Sequence, residues 1–430
     1  MPAGSAELFV GIDAGTSQCR ACAIDTGGTE LALVATAMPA PRQCDGRIEQ
    51  APNEWWDAAV RAFDDLFGRI DAGRVGAIAV AGTSGTILLA NGAGSPLTPA
   101  LMYNDQSSRK QAARIERVAP EDSAARGTGS ALARMLQLLE RTHGATPAFA
   151  LHQADWIAAR LCGACGITDE NNALKLGYDC TARRWPAWIT GLGIDPALLP
   201  RVVPAGTAIG FVDTAIAQRF GLRRRVRIVA GTTDSVAAAL AAGIASTGDA
   251  VTSLGSTMVL KIVAERPLAS AAHGIYTHRL REAWLAGGAS NTGGAVLASL
   301  FTAADLMRLS AQIDADQPSP LDYYPLLRPG ERFPDNDPAL APRLAPRPAS
   351  DVEFLHGLFE SMARIEARGY RLLEQLGAPF PRQVATAGGG AANPAWRRIR
   401  QRVLGVPVTV AAHAEASYGA ALLARDGARA

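Results

Sequence analysis

At 430 residues the chain is too long for a single compact core, since domains typically run to roughly 100–200 residues. With 48% hydrophobic and 19% charged residues it carries too much apolar surface for wholesale disorder. Its 42 basic and 40 acidic residues leave a formal net charge of +2 with no long block of one sign, which points away from nucleic-acid and membrane partners and toward a small molecule.

Leu8 to Ile12 is an apolar run closing on Asp13-Ala14-Gly15-Thr16, and Cys19 to Asp25 resumes an extended pattern that ends at Gly27-Gly28. Together they predict a β-hairpin with a polar, glycine-containing turn. The start, Met1 to Leu8, lacks both a basic n-region and an apolar h-region, so secretion is not expected. A helix is predicted over Asn53 to Ile70, where Trp55-Trp56 reads as a core anchor, with stacking on a sugar as the alternative. A strand over Val75 to Ala81 leads into Gly82-Thr83-Ser84-Gly85-Thr86, a helix follows over Gln153 to Leu161, and a strand over Val226 to Ala230 runs into Gly231-Thr232-Thr233-Asp234. The hairpin shape then recurs: Ala250 to Ser253, the turn Leu254-Gly255-Ser256-Thr257, and the apolar run Met258 to Val263. A last strand, Val384 to Ala387, ends at Gly388-Gly389-Gly390.

Strands alternating with helices predict an α/β protein of two similar halves, 1–245 and 246–430. Gln317 to Ser350, rich in proline and charge, reads as a surface excursion, and Arg425 to Ala430 as a frayed end. The stretch Ile228 to Val251 is interrupted by Thr232, Thr233, Asp234, Ser235 and Asp249, which disqualifies it as a membrane span and leaves a soluble, cytoplasmic protein as the expectation. The six cysteines are too few for a disulfide scaffold. Cys19 to Cys22 and Cys162 to Cys165 imitate zinc knuckles, yet Cys19 and Cys22 lie on an apparent strand, where residues three apart face opposite ways and cannot share one ion. Arg223-Arg224-Arg225 reads as a solvated turn.

A turn of glycine and hydroxyl residues offers backbone N–H groups without side-chain bulk, so a phosphate can approach it closely. Three such turns after strands predict a nucleoside triphosphate held between two domains. Phosphoryl transfer then requires one carboxylate for the metal and another for the acceptor proton. Asp13 and Asp234 fit those places. An Asp directly after a strand is also an ordinary helix N-cap, and Asp234 can serve as both.

Gly11-Ile12-Asp13-Ala14-Gly15-Thr16, Gly46-Arg47-Ile48-Glu49-Gln50 with Trp55-Trp56, Gly231-Thr232-Thr233-Asp234, Gly255-Ser256-Thr257 and Gly388-Gly389-Gly390 with Asn393 resemble, in order and over nearly the whole chain, the FGGY carbohydrate kinases. The resemblance implies a pair of ribonuclease-H-like domains of the actin and hexokinase type, closing around a central cleft on ATP and a sugar. It implies Asp234 as catalytic base and Asp13 at the magnesium and phosphate site. Gly15, Thr16, Gly255, Ser256 and Thr257 would border the triphosphate, and Gly389, Gly390 and Asn393 the adenosine. Where many members carry glutamine, this chain has Gly82-Thr83-Ser84-Gly85-Thr86, which resembles the short D-ribulose kinases of plants and cyanobacteria and implies that Ser84 contacts the sugar. Asn104-Asp105, after Met102-Tyr103, stands where many relatives place a tryptophan-bearing motif, which implies a sugar contact for Asp105 although tyrosine replaces the tryptophan. The expected activity is therefore ATP- and magnesium-dependent phosphorylation of D-ribulose at a primary hydroxyl. The alternatives are a kinase of D-xylulose or another ketose or polyol, and a nucleotide-gated binding protein of the actin type that phosphorylates no sugar.

Overall fold

The computed structural model describes residues 7–142, 144 and 146–429; residues 1–6, on which the expectation about secretion rests, lie outside the described residues. The chain forms two compact units, 1–241 together with 415–430, and 242–414.

The first unit is built on a six-stranded sheet in the order Ala208–Phe211, Arg227–Thr233, Val75–Gly82, Leu8–Ala14, Gln18–Ile24, Glu30–Ala37. Leu8–Ala14 pairs antiparallel with Gln18–Ile24 as the predicted hairpin, and parallel with Val75–Gly82, which in turn pairs parallel with Arg227–Thr233. Every residue of Leu8–Ala14 is buried, as expected of a strand covered on both faces. Leu8, Val10, Ile12 and Ala14 share a core with one face of the helix Pro52–Phe67: Trp55, Ala58, Ala59, Ala62, Phe63 and Leu66, at helical spacing. Proline opens that helix, where its missing N–H costs nothing. Trp55 is a core anchor, edge-on to Trp156 at 6.1 Å, with its indole N–H donating to Gln50 Oε1 at 2.7 Å.

The opposite face of the same strand takes the last helix of the chain, Ala416–Arg429, and this is where the expected division differs. A single cut near residue 245 assigns 415–430 to the second half, whereas the structure packs it in the first unit. The reason is close backbone approach. A Cβ on Gly11 would lie 2.0 Å from the Ser417 carbonyl oxygen, and one on Gly419 would lie 1.8 Å from that of Ala237, so only glycine lets the helix seat. Ala81, Ala237, Ala416 and Ala420 complete this small-residue contact. The expected frayed end is likewise a helix, with Arg429 Nη2 donating to the Thr26 carbonyl at 3.0 Å; Ala430 lies outside the described residues.

The second unit repeats the plan: Asp249–Leu254 forms a hairpin with Met258–Ala264, Ala283–Ser290 and His278–Leu280 continue the antiparallel side, and Gln383–Ala387 and Val408–Val410 add parallel strands. A hairpin flanked by parallel strands thus occurs twice, as the repeated turns predicted. The 25-residue helix Asp351–Gln375 buries its apolar face in this unit's core. The segment Gln317 to Ser350 is no loose excursion. Tyr323 and Phe333 are each 1% exposed within that core, and buried Glu331 accepts hydrogen bonds from Ser290 Oγ, Asn291 N and Tyr324 OH. Among the described residues no helix is long and apolar enough to cross a membrane.

Candidate active site

Strand register gathers the first unit's candidate residues. Ala14 stands opposite Gly82 and Gly82 opposite Thr233, so the Asp13 turn, the Ser84 turn and Asp234 leave the carboxyl ends of three adjacent parallel strands together. Open α/β sheets bind ligands at that end. Arg227–Thr233 reaches through the glycine-threonine motif because Gly231 fits where a Cβ would lie 1.8 Å from the Val80 carbonyl oxygen; the ladder shifts register between Val229 and Thr232 at this point. Asp234 then opens the helix Asp234–Ala241, half-buried, with Oδ1 accepting the Ser235 N–H at 2.6 Å.

Asp13 is 6% exposed, and its Oδ1 is buried without a hydrogen-bond partner among the described residues. Burial chiefly, then the charge of Asp234 and more weakly that of Glu415, pushes its carboxyl up to about 7, against the opposing pull of Arg20. Arg20 is the cross-strand partner of Asp13. Its Nη1 lies 3.9 Å from Asp13 Oδ2, and its Nε donates to Glu415 Oε2 at 3.1 Å. Among the described residues no three acidic, histidine or cysteine side chains converge as a complete metal cage. A buried, unpartnered carboxylate oxygen beside a second carboxylate nevertheless suits magnesium, which is commonly held by one or two carboxylates with phosphate and water completing its shell.

The Ser84 turn is fixed from behind. Thr83 and Thr86 hydroxyls lie 2.6 Å apart, Thr86 Oγ1 accepts the Tyr103 N–H, and the oxygen of buried Gln153 accepts from both Thr83 N and Thr83 Oγ1. The Gln153 amide also reaches the Gly15 carbonyl at 3.4 Å, tying this turn to the Asp13 turn. Ser84 itself is half-buried, and its hydroxyl has no hydrogen bond among the described residues; Lys175 Nζ donates to its backbone carbonyl at 3.4 Å.

Asp105, expected to contact the sugar, is wholly buried, with Oδ2 accepting the Ile48 N–H and Oδ1 accepting from Ser107 N and Oγ. These bonds make it a support of the neighbouring turn.

Three residues that sequence reasoning passed over hold the site together: Gln153, Arg134 and Asn171. Arg134 is fully buried and donates to the carbonyls of Gly85, Tyr103, Asp105, Thr128 and Gly129, pinning several loops with one guanidinium. Burial holds it down at about 10, with the Asp105 charge acting the other way. Asn171 Nδ2 donates to Thr232 Oγ1 at 2.9 Å and so fixes the strand that ends in Asp234. Arg134 carried a signal in the sequence, a lone charge within Ala131-Leu132-Ala133-Arg134-Met135-Leu136. The buried amides carried none.

In the second unit the strands Asp249–Leu254 and Gln383–Ala387 pair parallel, with Ser253 opposite Ala387, which sets the Gly255 turn beside the Gly388 turn. A cavity of about 810 Å³ opens there, lined by Gly255, Ser256, Gly389, Gly390 and Asn393 together with apolar side chains. Thr257 lies on the hairpin but outside that lining. The carbonyls of Gly255 and Ser256 accept from Gly294 N and Ala295 N, while Asn393 Oδ1 accepts the Trp396 N–H and caps the helix Pro394–Leu404.

Residues 8–241 match the FGGY family of carbohydrate kinases, N-terminal domain, and residues 250–425 match its C-terminal domain. The chain belongs to this family. It is 31% identical over 278 residues to a xylulose kinase of Streptomyces rubiginosus, an alignment covering 62% of this chain and 56% of that relative's length. It is 24% identical over 424 residues to a xylulose kinase of Escherichia coli, covering 93% and 85% of the two chains. The crystal structure of xylulose kinase from Rhodospirillum rubrum superposes with a TM-score of 0.85 at 23% identity over 98% of this chain and 92% of that one, a likeness of fold.

Proposed function

We propose that the protein is an ATP-dependent pentulose kinase that transfers the γ-phosphoryl group to a primary hydroxyl of D-ribulose, giving D-ribulose 5-phosphate and ADP. The observation that carries the reading is the register of three parallel strands, which sets Asp13, Asp234 and the Ser84 hydroxyl, without a hydrogen bond among the described residues, at one end of one sheet.

In this mechanism Asp234 accepts the proton of the sugar hydroxyl as its oxygen bonds to the γ-phosphorus and the bond to the departing ADP oxygen breaks. Asp13 would hold magnesium, which when bound would supply charge neutralisation at the phosphates. In the first unit the backbone groups of Gly15 and Thr16 are suited to a phosphate, and in the second unit those of Gly255, Ser256 and Thr257 are suited to one as well. Gly389, Gly390 and Asn393 border the adenosine. Ser84 donates to and accepts from a sugar hydroxyl, and the rigid backing of its turn by Gln153 and Arg134 keeps that group in place. An enzyme drawing on ATP and free sugar fits a cytoplasmic setting.

A second reading, D-xylulose as substrate, is favoured by the names of the relatives, and a pentulose pocket is retuned by few side chains. The test is ADP release from ATP and magnesium across D-ribulose, D-xylulose, ribitol and glycerol. The account predicts the highest kcat/KM with D-ribulose. Preference for D-xylulose would replace the substrate, and no release with any sugar would remove the kinase reading.

A further inference from the structure

The segment Gln317 to Ser350 packs Tyr323, Tyr324 and Phe333 into the core of the second unit, but it also carries charge that the core does not use. Asp322, Asp335 and Arg343 from this segment, with Arg364 and Arg368 from successive turns of the helix Asp351–Gln375, line a cavity of about 400 Å³. It shares no lining residue with the nucleotide cavity.

Arg364 is the fixed point of this cavity. Its Nη1 donates to the Leu321 carbonyl at 3.0 Å and its Nη2 to the Ser319 carbonyl at 2.7 Å, which holds the guanidinium in place through neutral oxygens. Glu360 lies 3.6 Å from it and gives hydrogen bonds of ordinary length to Arg402 instead, at 3.0 and 2.6 Å. Arg343 Nη2 donates to Asp322 Oδ2 at 2.5 Å, and Arg368 Nη2 pairs with Asp335 Oδ2 at 2.9 Å while its guanidinium lies over the Tyr324 ring. A guanidinium carries five N–H groups, so these contacts leave donors on all three arginines. They also leave Asp322 Oδ1 and Asp335 Oδ1 without a hydrogen bond among the described residues. Both ion pairs are about half exposed, so water screens them and a competing anion can displace either carboxylate at small cost.

Three positive charges therefore face two negative ones in one concave space, with donors on the first and open acceptors on the second. Phosphate oxygens suit the arginines, which bind them in bidentate fashion, and hydroxyl groups suit the aspartate oxygens, to which they donate. The volume is that of a small-molecule site. We propose that this cavity is a second binding site, distinct in its residues from the candidate active site, for a phosphate monoester of a sugar, with Arg343, Arg364 and Arg368 on the phosphate and Asp322 and Asp335 on the hydroxyl groups. It stands apart from the substrate assigned to the kinase.

The probe is D-ribose 5-phosphate, titrated by calorimetry into the full chain with D-ribulose and a non-hydrolysable ATP analogue at saturation to occupy the active site. One site per chain is expected, with a dissociation constant of about a millimolar or tighter. D-Ribose, which lacks the phosphate, and inorganic phosphate, which lacks the sugar, should each bind at least about tenfold more weakly. In the double variant Arg343→Gln, Arg368→Gln the affinity for the ester should fall at least about tenfold, while kcat/KM for sugar and for ATP stays within about twofold. Amide exchange followed by mass spectrometry should slow over 319–343 and 361–368 when the ester binds. This reading on the parent protein decides alone should the variant fail to fold. No saturable binding below about 10 mM, either control binding as tightly as the ester, undiminished affinity in a folded double variant, or no slowed exchange in those two segments would each overturn the proposal. A chain that binds the ester there but phosphorylates no sugar would retain the site while removing the kinase reading.

Discussion

Replacing Asp13 by asparagine separates the energetic cost of its position from its use. Asp13 is buried, has one unpartnered oxygen, and titrates at about 7 in the fold against an ordinary 3.8. Between those two values the folded chain holds a proton that the unfolded chain has released. Stability conferred on this unit is therefore greatest near pH 4 and falls as pH rises through about 7, above which the buried group is charged. At about 1.4 kcal/mol per pH unit, the gap between 3.8 and about 7 bounds the loss at about 4 kcal/mol. Asparagine has the same shape and never ionises. The variant should match the parent near pH 4 and exceed it by a few kcal/mol at pH 8, up to about that bound. Denaturant unfolding at a series of pH values measures this, with Trp55, Trp56, Trp156, Trp185 and Trp188 reporting on the first unit. Parallel stability profiles for the two proteins would show that Asp13 is not desolvated as described.

The same Asp13→Asn variant should lose turnover and need more magnesium, which a titration at saturating sugar reads; unchanged demand would leave Asp13 a purely structural residue. Asp234→Ala should lower turnover by roughly 10²–10⁴ while ATP binding by calorimetry stays nearly intact. Ser84→Ala should cut kcat/KM for D-ribulose by roughly ten- to a hundredfold with little change in the KM for ATP, and an unchanged ratio of D-ribulose to D-xylulose would take Ser84 out of the site. Arg134→Met leaves five carbonyls short of a donor, and should destabilise the fold by about 2 kcal/mol or more and raise the KM for sugar more than that for ATP. A stable variant with an unaltered sugar KM would count against its positioning role.

The doubled architecture was legible because its signals are local: apolar runs that end in glycine turns, at Asp13 and again at Gly255. Asp13 and Asp234 stood out as carboxylates at the ends of strands, and Ser84 through the family resemblance of its segment. What escaped depends on contacts between residues far apart in the chain. Nothing near Gly419 announces that it seats against Ala237, so the packing of the last helix on the first unit was not legible. Proline and charge in Gln317 to Ser350 concealed the aromatic anchors Tyr323 and Phe333. Asp105 stood out only through the family resemblance, and its hydrogen bond from the Ile48 backbone amide, 57 residues away in the chain, carried no signal in the sequence. Gln153 and Asn171 are ordinary amides in sequence, and only tertiary structure brings them to the turns they hold.

The most direct test of the central claim is to follow D-ribulose, ATP and magnesium with the purified full chain by phosphorus and carbon nuclear magnetic resonance. The account predicts a phosphate ester on the C5 oxygen of D-ribulose, formed mole for mole with ADP and abolished in Asp234→Ala. Release of ADP and inorganic phosphate without a sugar ester, or equal ester formation by the Asp234→Ala protein, would contradict it.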